Sequence, residues 1–225
     1  MKPWHEIDVA EVPGNGGDIT LLKRGEEFSI RTAGVELMNS RRHGSEEALA
    51  RLACGRLKGR SGVRILVGGL GMGYTLAAVL EQSEPGTLVT VVELIPAVVR
   101  WNRQYMGHLA GMPLDDPSVY VAEEDVAETI ARRRSAWDAI LLDVDNGPDG
   151  LTRKGNDRLY SLSGLKRTLS ALRPGGVLAV WSAAADEAFT RRLHRCGFQT
   201  ETITLRARKS GKGSRHTIWL AWGQA

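Results

Sequence analysis

One stretch constrains the fold more than any other: Gly62-Val63-Arg64-Ile65-Leu66-Val67-Gly68-Gly69-Leu70-Gly71-Met72-Gly73. A short apolar run breaks into glycines and then into the helical pattern Tyr74 to Gln82. Ile65 to Val67 reads as a buried parallel strand, and a short apolar run of this kind is bounded by turn residues. The glycines let the backbone turn sharply and approach a ligand at the N-terminus of the next helix, where unpaired N–H groups gather. Strand, glycine loop and helix together make a nucleotide-type cradle.

Glycine spacing narrows the ligand. A dinucleotide fingerprint, G-x-G-x-x-G, read from Gly69 requires glycine at position 74, where the chain has Tyr74. The spacing present is G-x-G-x-G, from Gly69 through Gly71 to Gly73. It resembles the first motif of class I AdoMet-dependent transferases, in which the glycine loop meets the methionine and ribose portion of the cofactor. Thr87 to Val92 forms a second apolar, β-branched strand ending in Glu93, twenty positions after Gly73. An acid there is placed to accept both hydroxyl hydrogens of a ribose.

The 225 residues suffice for one α/β domain of ordinary size with a small appendage. Thirty Lys and Arg against 26 Asp and Glu give a net charge of +4, too mild to indicate nucleic acid. The basic residues concentrate at Arg41-Arg42, Arg132 to Arg134 and Arg206 to His216. Cys54 and Cys196 lie far apart without a C-x-x-C pattern, and the five histidines lack ligand spacing, so neither disulfides nor a metal is expected. With no apolar stretch approaching 18 residues and no signal-like N-terminus, no membrane partner is expected and the cytoplasm is the expected location.

Residues 1–44 alternate in polarity, notably Asp18 to Arg24 and Glu27 to Thr32, which predicts two or three short antiparallel strands. Ser45-Glu46-Glu47 predicts a helix start with Ser45 as N-cap, running to about Lys58. Residues 1–60 are thus expected to form a small β appendage with a connecting helix, and 61–225 a transferase domain. From Val63 strand and helix alternate, which predicts a doubly wound, mostly parallel sheet. Its later strands are Val119 to Ala122, Ala139 to Leu142 and Val177 to Trp181, and its later helices begin at Pro96, Val126, Leu159 and Asp186. The loop from Val144 to Asn156 is rich in Asp, Asn, Gly and Pro and follows a strand end, the usual place for function. Phe198 to Leu205 and Thr217 to Trp222 are expected to close the chain as an antiparallel hairpin.

The ordered motifs G-G-L-G-M-G at 68–73, V-E-L-I at 92–95, E-D-V at 124–126, W-D-A-I-L-L-D at 137–143, N-G-P at 146–148, L-Y-S at 159–161 and L-R-P-G-G at 172–176 resemble the spermidine synthase-like branch of the class I AdoMet-dependent transferases. The resemblance runs from Val63 to about Trp181 and implies a seven-strand-type sheet. It sets Gly69, Leu70, Gly71, Gly73, Glu93, Leu94 and Asp125 at the cofactor, S-adenosylmethionine or its decarboxylated form, with Asp125 accepting from the adenine amino group. Asp125 also reads as a plain N-cap before Val126. Asp143 matches the first acid of the family's D-x-x-D-P loop and is the candidate catalytic residue, as base or orienting acceptor. Asp145, Asn146 and Tyr160 would then face the acceptor.

Two departures bear on the reaction. The family's aminopropyl transferases carry an acid inside the glycine loop, where this chain has Gly71 and Met72, and their Tyr-containing segment before the glycine strand gives way to His43-Gly44-Ser45-Glu46-Glu47. Methyl transfer to an amine-type or other small acceptor is therefore expected ahead of aminopropyl transfer to a polyamine. A non-catalytic AdoMet-fold binding protein, using Arg206, Arg208, Lys209, Lys212 and Arg215, is the third reading. Nucleic acid is otherwise not an expected partner, and a homodimer is expected.

Overall fold

A computed structural model describes residues 2–14, 16–144, 157–206 and 215–223. The expected loop from Val144 to Asn156 and most of the basic segment after Arg206 therefore fall outside the described residues, Val144, Arg215 and His216 excepted.

Two sheets make up the chain. Strands β1 (His5–Glu11), β2 (Asp18–Arg24), β3 (Glu27–Thr32) and β4 (Val35–Asn39) form an antiparallel meander, one strand more than the longest expectation. Ala33 and Gly34, both at positive φ, make the two-residue turn between β3 and β4, and Thr32 pairs with Val35 across it. Ile19, Leu21, Phe28 and Ile30 are buried on the meander's inner face. Asp8 on β1 accepts from Trp101 Nε1 at 2.7 Å and Arg100 Nη2 at 2.9 Å, which ties the meander to the helix after β6. Those two donors, Trp101 foremost, hold the Asp8 carboxyl below its usual range.

The larger sheet contains β5 (Arg64–Gly68), β6 (Leu88–Val92), β7 (Val119–Ala122), β8 (Trp137–Leu142), β9 (Leu172–Ser182), β10 (Phe198–Arg206) and β11 (Arg215–Gly223). Their order is β10-β11-β9-β8-β5-β6-β7, with β11 antiparallel to both neighbours and the remaining pairs parallel. This is the doubly wound, mostly parallel seven-strand sheet expected, with the terminal hairpin at its edge. Arg173 to Gly176, within the L-R-P-G-G motif, lie inside β9 as an irregularity: Trp137 pairs with Leu172, but Ala139 with Val177.

The helices are α1 (Gly44–Gly55), α2 (Tyr74–Gln82), α3 (Pro96–Trp101), α4 (Val126–Ala131), α5 (Asp157–Tyr160), α6 (Leu162–Ala171) and α7 (Glu187–Arg195). α3 continues as a π turn over Asn102–Met106, reaching the expected end. The helix expected from Leu159 breaks at Ser161, whose Oγ accepts from the Gly164 N–H and caps α6. α1 starts two residues early: His43 precedes it without a side-chain cap, so Ser45 is not the N-cap and its hydroxyl is turned to another use. α1 packs on α2 and on β8, β9 and β11. Both cysteines are free and buried. Among the described residues no helix is long and apolar enough to cross a membrane.

Candidate active site

Parallel pairing brings the carboxyl ends of four strands to one edge. The Asp143 N–H donates to the Gly68 carbonyl, Gly69 N–H to Val92, and Glu93 N–H to Ala122, at 2.8 to 2.9 Å. The end of β8, the glycine loop after β5 and the end of β6 therefore stand side by side. The chain runs outward from β5 through β6 to β7 and then crosses back to β8 on the other side of β5, so the strand order reverses here, the position at which open α/β sheets bind ligands.

The glycine loop is needed for close approach. Gly69 has φ +89°, and a Cβ there would run into the Asp143 backbone carbonyl, so any side chain would part β5 from β8. Gly71 has φ +52°, and a Cβ would stand 2.8 Å from Met38 Sδ, the tip of a side chain on β4. Asn102 donates from Nδ2 to the Gly71 carbonyl at 2.8 Å and to Val98 at 2.9 Å, pinning the loop from the π turn.

A cavity opens between this edge and the inner face of the meander. Gly69, Gly71, Glu93, Leu94, Asp125 and Asp143 line it, as expected for a cofactor and reacting site. The meander contributes Val12, Ile19, Ile30, Leu37 and Met38. Glu46, Glu124 and Trp181 add polar and aromatic lining, and Val126 an apolar side chain.

Three expected residues stand off the wall. Leu70 serves the site through its backbone N–H. Gly73 caps α2 and packs against Pro113 and Asn102. Tyr160 is in the core, 2% exposed, edge-on to Phe189 at 5.5 Å, which corrects its expected place beside the acceptor. Asp145 and Asn146 lie outside the described residues.

Glu93 is the best-held acid. Its Oε2 accepts from Leu70 N–H and its Oε1 from Ile95 N–H, each at 2.9 Å. Glu93 also lines the cavity, where its carboxylate can accept from the hydroxyls of a ribose. Burial raises its pKa and the backbone donors oppose the rise. Asp125 is the N-cap, its Oδ1 accepting from Ala127 N–H at 2.8 Å, and the residue also lines the cavity. Glycine approach, the Glu93 carboxylate on the wall and the apolar Leu94, Ile95 and Val126 fit an adenosine-type ligand.

Asp143 and Glu46 differ from these. Thr75 Oγ1 donates to Asp143 Oδ2, and among the described residues no cation pairs with either carboxylate. Burial pushes Asp143 up to about 6. Burial first, then the neighbouring Asp143 charge, pushes Glu46 up to about 7. Raised carboxyls in a cavity are the usual preparation for proton transfer. Sequence reasoning missed Glu46, since two acids after a serine read as helix-start charges; it also missed Met38, Asn102, Thr75 and Trp181, which only tertiary packing brings to the loop and the wall.

With this geometry in view, residues 43–190, two thirds of the chain, match the family model described as the spermine/spermidine synthase domain. The chain belongs to that family. It is accordingly an AdoMet-dependent transferase by family. Solved structures share the fold. Spermidine synthase from Thermotoga maritima is 18% identical, with a TM-score of 0.76 over 96% of this chain and 72% of its own. A spermidine synthase in complex with the transition state analogue AdoDATO is 17% identical, with a TM-score of 0.74 over 96% and 71%. A probable spermidine synthase from Corynebacterium glutamicum ATCC 13032 is 16% identical, with a TM-score of 0.66 over 97% and 80%. No curated protein matches the chain.

Proposed function

We propose that this chain transfers an aminopropyl group from decarboxylated AdoMet to an amine acceptor. The observation that carries the reading is the pair of carboxylates, buried Glu46 and half-buried Asp143, on the wall of an otherwise largely apolar cavity, with no cation against either among the described residues. Family membership supports it, as does the match to structures titled spermidine synthase. It reverses the order drawn from the glycine loop alone, which put methyl transfer first.

The bound donor supplies an activated carbon: its C–S bond breaks as the new C–N bond forms, and the electron pair leaves on sulfur. The chain's own work is placement and proton handling. Gly69 and Gly71 permit close backbone approach, Glu93 holds the ribose, and Asp125 serves the adenine end. Asp143, fixed by Thr75 at the end of a rigid strand, orients the acceptor nitrogen. Meander residues cover the site and exclude water, which strengthens each charge interaction inside it.

Methyl transfer from AdoMet remains the second reading, because the place where the family's aminopropyl transferases set an acid is Gly71, with Met38 against it. Calorimetric binding of AdoMet, decarboxylated AdoMet and methylthioadenosine, with turnover on putrescine, separates the two. Release of methylthioadenosine from the decarboxylated donor is expected. Release of S-adenosylhomocysteine instead would replace the proposal by methyl transfer.

A further inference from the structure

Three elements distant in sequence meet beside Asp143. Glu46, in the first turn of α1, is 8% exposed yet lines the cavity. Ser45 O–H donates to Glu46 Oε2 at 2.6 Å. His216 Nδ1, on β11, is 2.8 Å from Ser45 Oγ. The serine has one proton and gives it to the carboxylate, so in this arrangement the imidazole Nδ1–H is the donor to serine. His216 stands edge-on to Trp181 at 4.8 Å, and Trp181 lines the cavity. A hydrogen-bonded chain thus runs from the cavity wall to the penultimate strand of the sheet.

We infer that Glu46 is the second substrate-facing carboxylate of this site, sharing the acceptor's ammonium group with Asp143, and that Ser45 and His216 carry the proton away. The inference rests on amine transfer as the reaction class, not on which group is transferred. An aliphatic amine is an ammonium ion near neutral pH, with no lone pair for attack. One N–H bond must break first, leaving its electron pair on nitrogen: R–NH3+ and the Glu46 carboxylate become R–NH2 and the Glu46 carboxylic acid. With the His216 proton on Nε2 and Nδ1 bare, protonated Glu46 donates to Ser45 Oγ and the serine proton passes to Nδ1, which restores the Glu46 carboxylate and leaves an imidazolium that releases its Nε2 proton to solvent.

The surroundings favour such a role. Asp143 faces Glu46 from the end of β8, Glu47 from α1 and Tyr74 from α2; burial first, then the Glu46 and Glu47 charges, push Tyr74 up to about 12. Glu47 is engaged by His43 at 2.7 Å. On the far side, burial and Arg42 hold His216 below its usual range, so it is neutral at physiological pH and able to accept. The sequence signal was Ser45-Glu46 before an apolar stripe, and a helix-capping reading absorbed it.

The test measures binding and titration separately. Putrescine and butylamine are titrated calorimetrically into protein saturated with methylthioadenosine, for the parent, Glu46→Gln and Ser45→Ala, with melting temperature on the same preparations. Glu46→Gln is expected to lower amine affinity at least tenfold and leave methylthioadenosine affinity within threefold. Ser45→Ala is expected to move the Glu46 carboxyl titration, read by 13C NMR, to higher pH, because it removes a donor to the ionised form, and to lower kcat about tenfold. Amine affinity unchanged in Glu46→Gln, or loss of both ligands together with the melting temperature, would overturn the inference, as would a parent that binds neither amine. If Glu46→Gln does not fold, Ser45→Ala decides: an unmoved Glu46 titration overturns it. A parent that consumes AdoMet alone, with selective amine loss in Glu46→Gln, sinks aminopropyl transfer and supports the role of Glu46.

Discussion

Asp138 and Asp143 bracket a single strand and have opposite surroundings. At the start of β8, Asp138 Oδ2 accepts from Arg173 Nη1 at 2.8 Å and from the Arg64 N–H at 2.9 Å, with Arg60 3.7 Å from its other oxygen. At the end of β8, Asp143 has a threonine hydroxyl and a second carboxylate nearby, and among the described residues no cation. Asp138 is buried and Asp143, five positions on, is half-buried. The paired acid joins β5, β8 and the irregular entry of β9; the cation-free acid faces the cavity. Burial alone does not mark a functional acid here. What marks it is burial without a counter-charge, a cost the fold bears only at the ligand-binding edge.

The largest expected effect removes the charge at the cavity end. Asp143→Asn keeps size and one acceptor oxygen, and should lower turnover by about 10² to 10⁴ while donor affinity stays within a few-fold. Steady-state kinetics and calorimetry on one preparation check this; full activity would remove Asp143 from the mechanism. The matching change at the other end should do the reverse. Asp138→Ala loses hydrogen bonds to a charged group, costing about 1.5 to 3 kcal/mol, discounted below a fully buried pair because both arginines are about a third exposed. For a chain of this size that lowers the melting temperature by roughly 5 to 10 °C. Turnover per folded molecule should be unchanged, and a kinetic defect in folded Asp138→Ala would blur the distinction between the two ends.

How legible this was in the sequence follows the range of the interactions. The β5 glycine loop, Glu93 and the terminal hairpin are local patterns, and they stand where periodicity put them. β1 went unseen because Ile7 and Val9 face outward and are exposed, so its alternation lacks a strongly apolar phase. Asp138 and Asp143 read identically as acids flanking an apolar run; only Arg173, 35 residues on, and Thr75, 68 residues back, tell them apart. Glu46 was hidden for the same reason, since its partner His216 lies 171 residues from Ser45. Tyr160 was placed at the acceptor by motif resemblance, but its ring fills space against Phe189.

Glu93 sharpens the comparison as an acid of a third kind, held by backbone donors. Glu93→Ala should weaken any adenosine ligand by about 1 to 3 kcal/mol, the usual loss of hydrogen bonds to a charged group. The diagnostic is the 2′-deoxy ligand: the parent should prefer the ribose form, and the variant should lose that preference. Equal discrimination by both would take the ribose away from Glu93.

The smallest expected effect is on stability against pH, and its sign separates the two ends without any substrate. Glu46 rises from 4.5 to about 7 and Asp143 from 3.8 to about 6 in the folded chain. The native state therefore binds more protons than the unfolded state between roughly pH 4 and 7, and stability falls as pH rises through that window. Both acids contribute fully when protonated, below about pH 4, and their contribution is gone above about pH 7. Ordinary paired acids such as Asp8, whose carboxyl is held low, act oppositely and lose their contribution only at still lower pH. Glu46→Gln and Asp143→Asn remove the ionisation penalty, so each should raise the melting temperature relative to the parent more at pH 8 than at pH 5. Asp138→Ala should lower it at both. A parent whose stability does not fall between pH 5 and 7, or carboxamide variants that track the parent across that range, would mean that the cavity end carries no unpaired charge and that the two ends of β8 are alike.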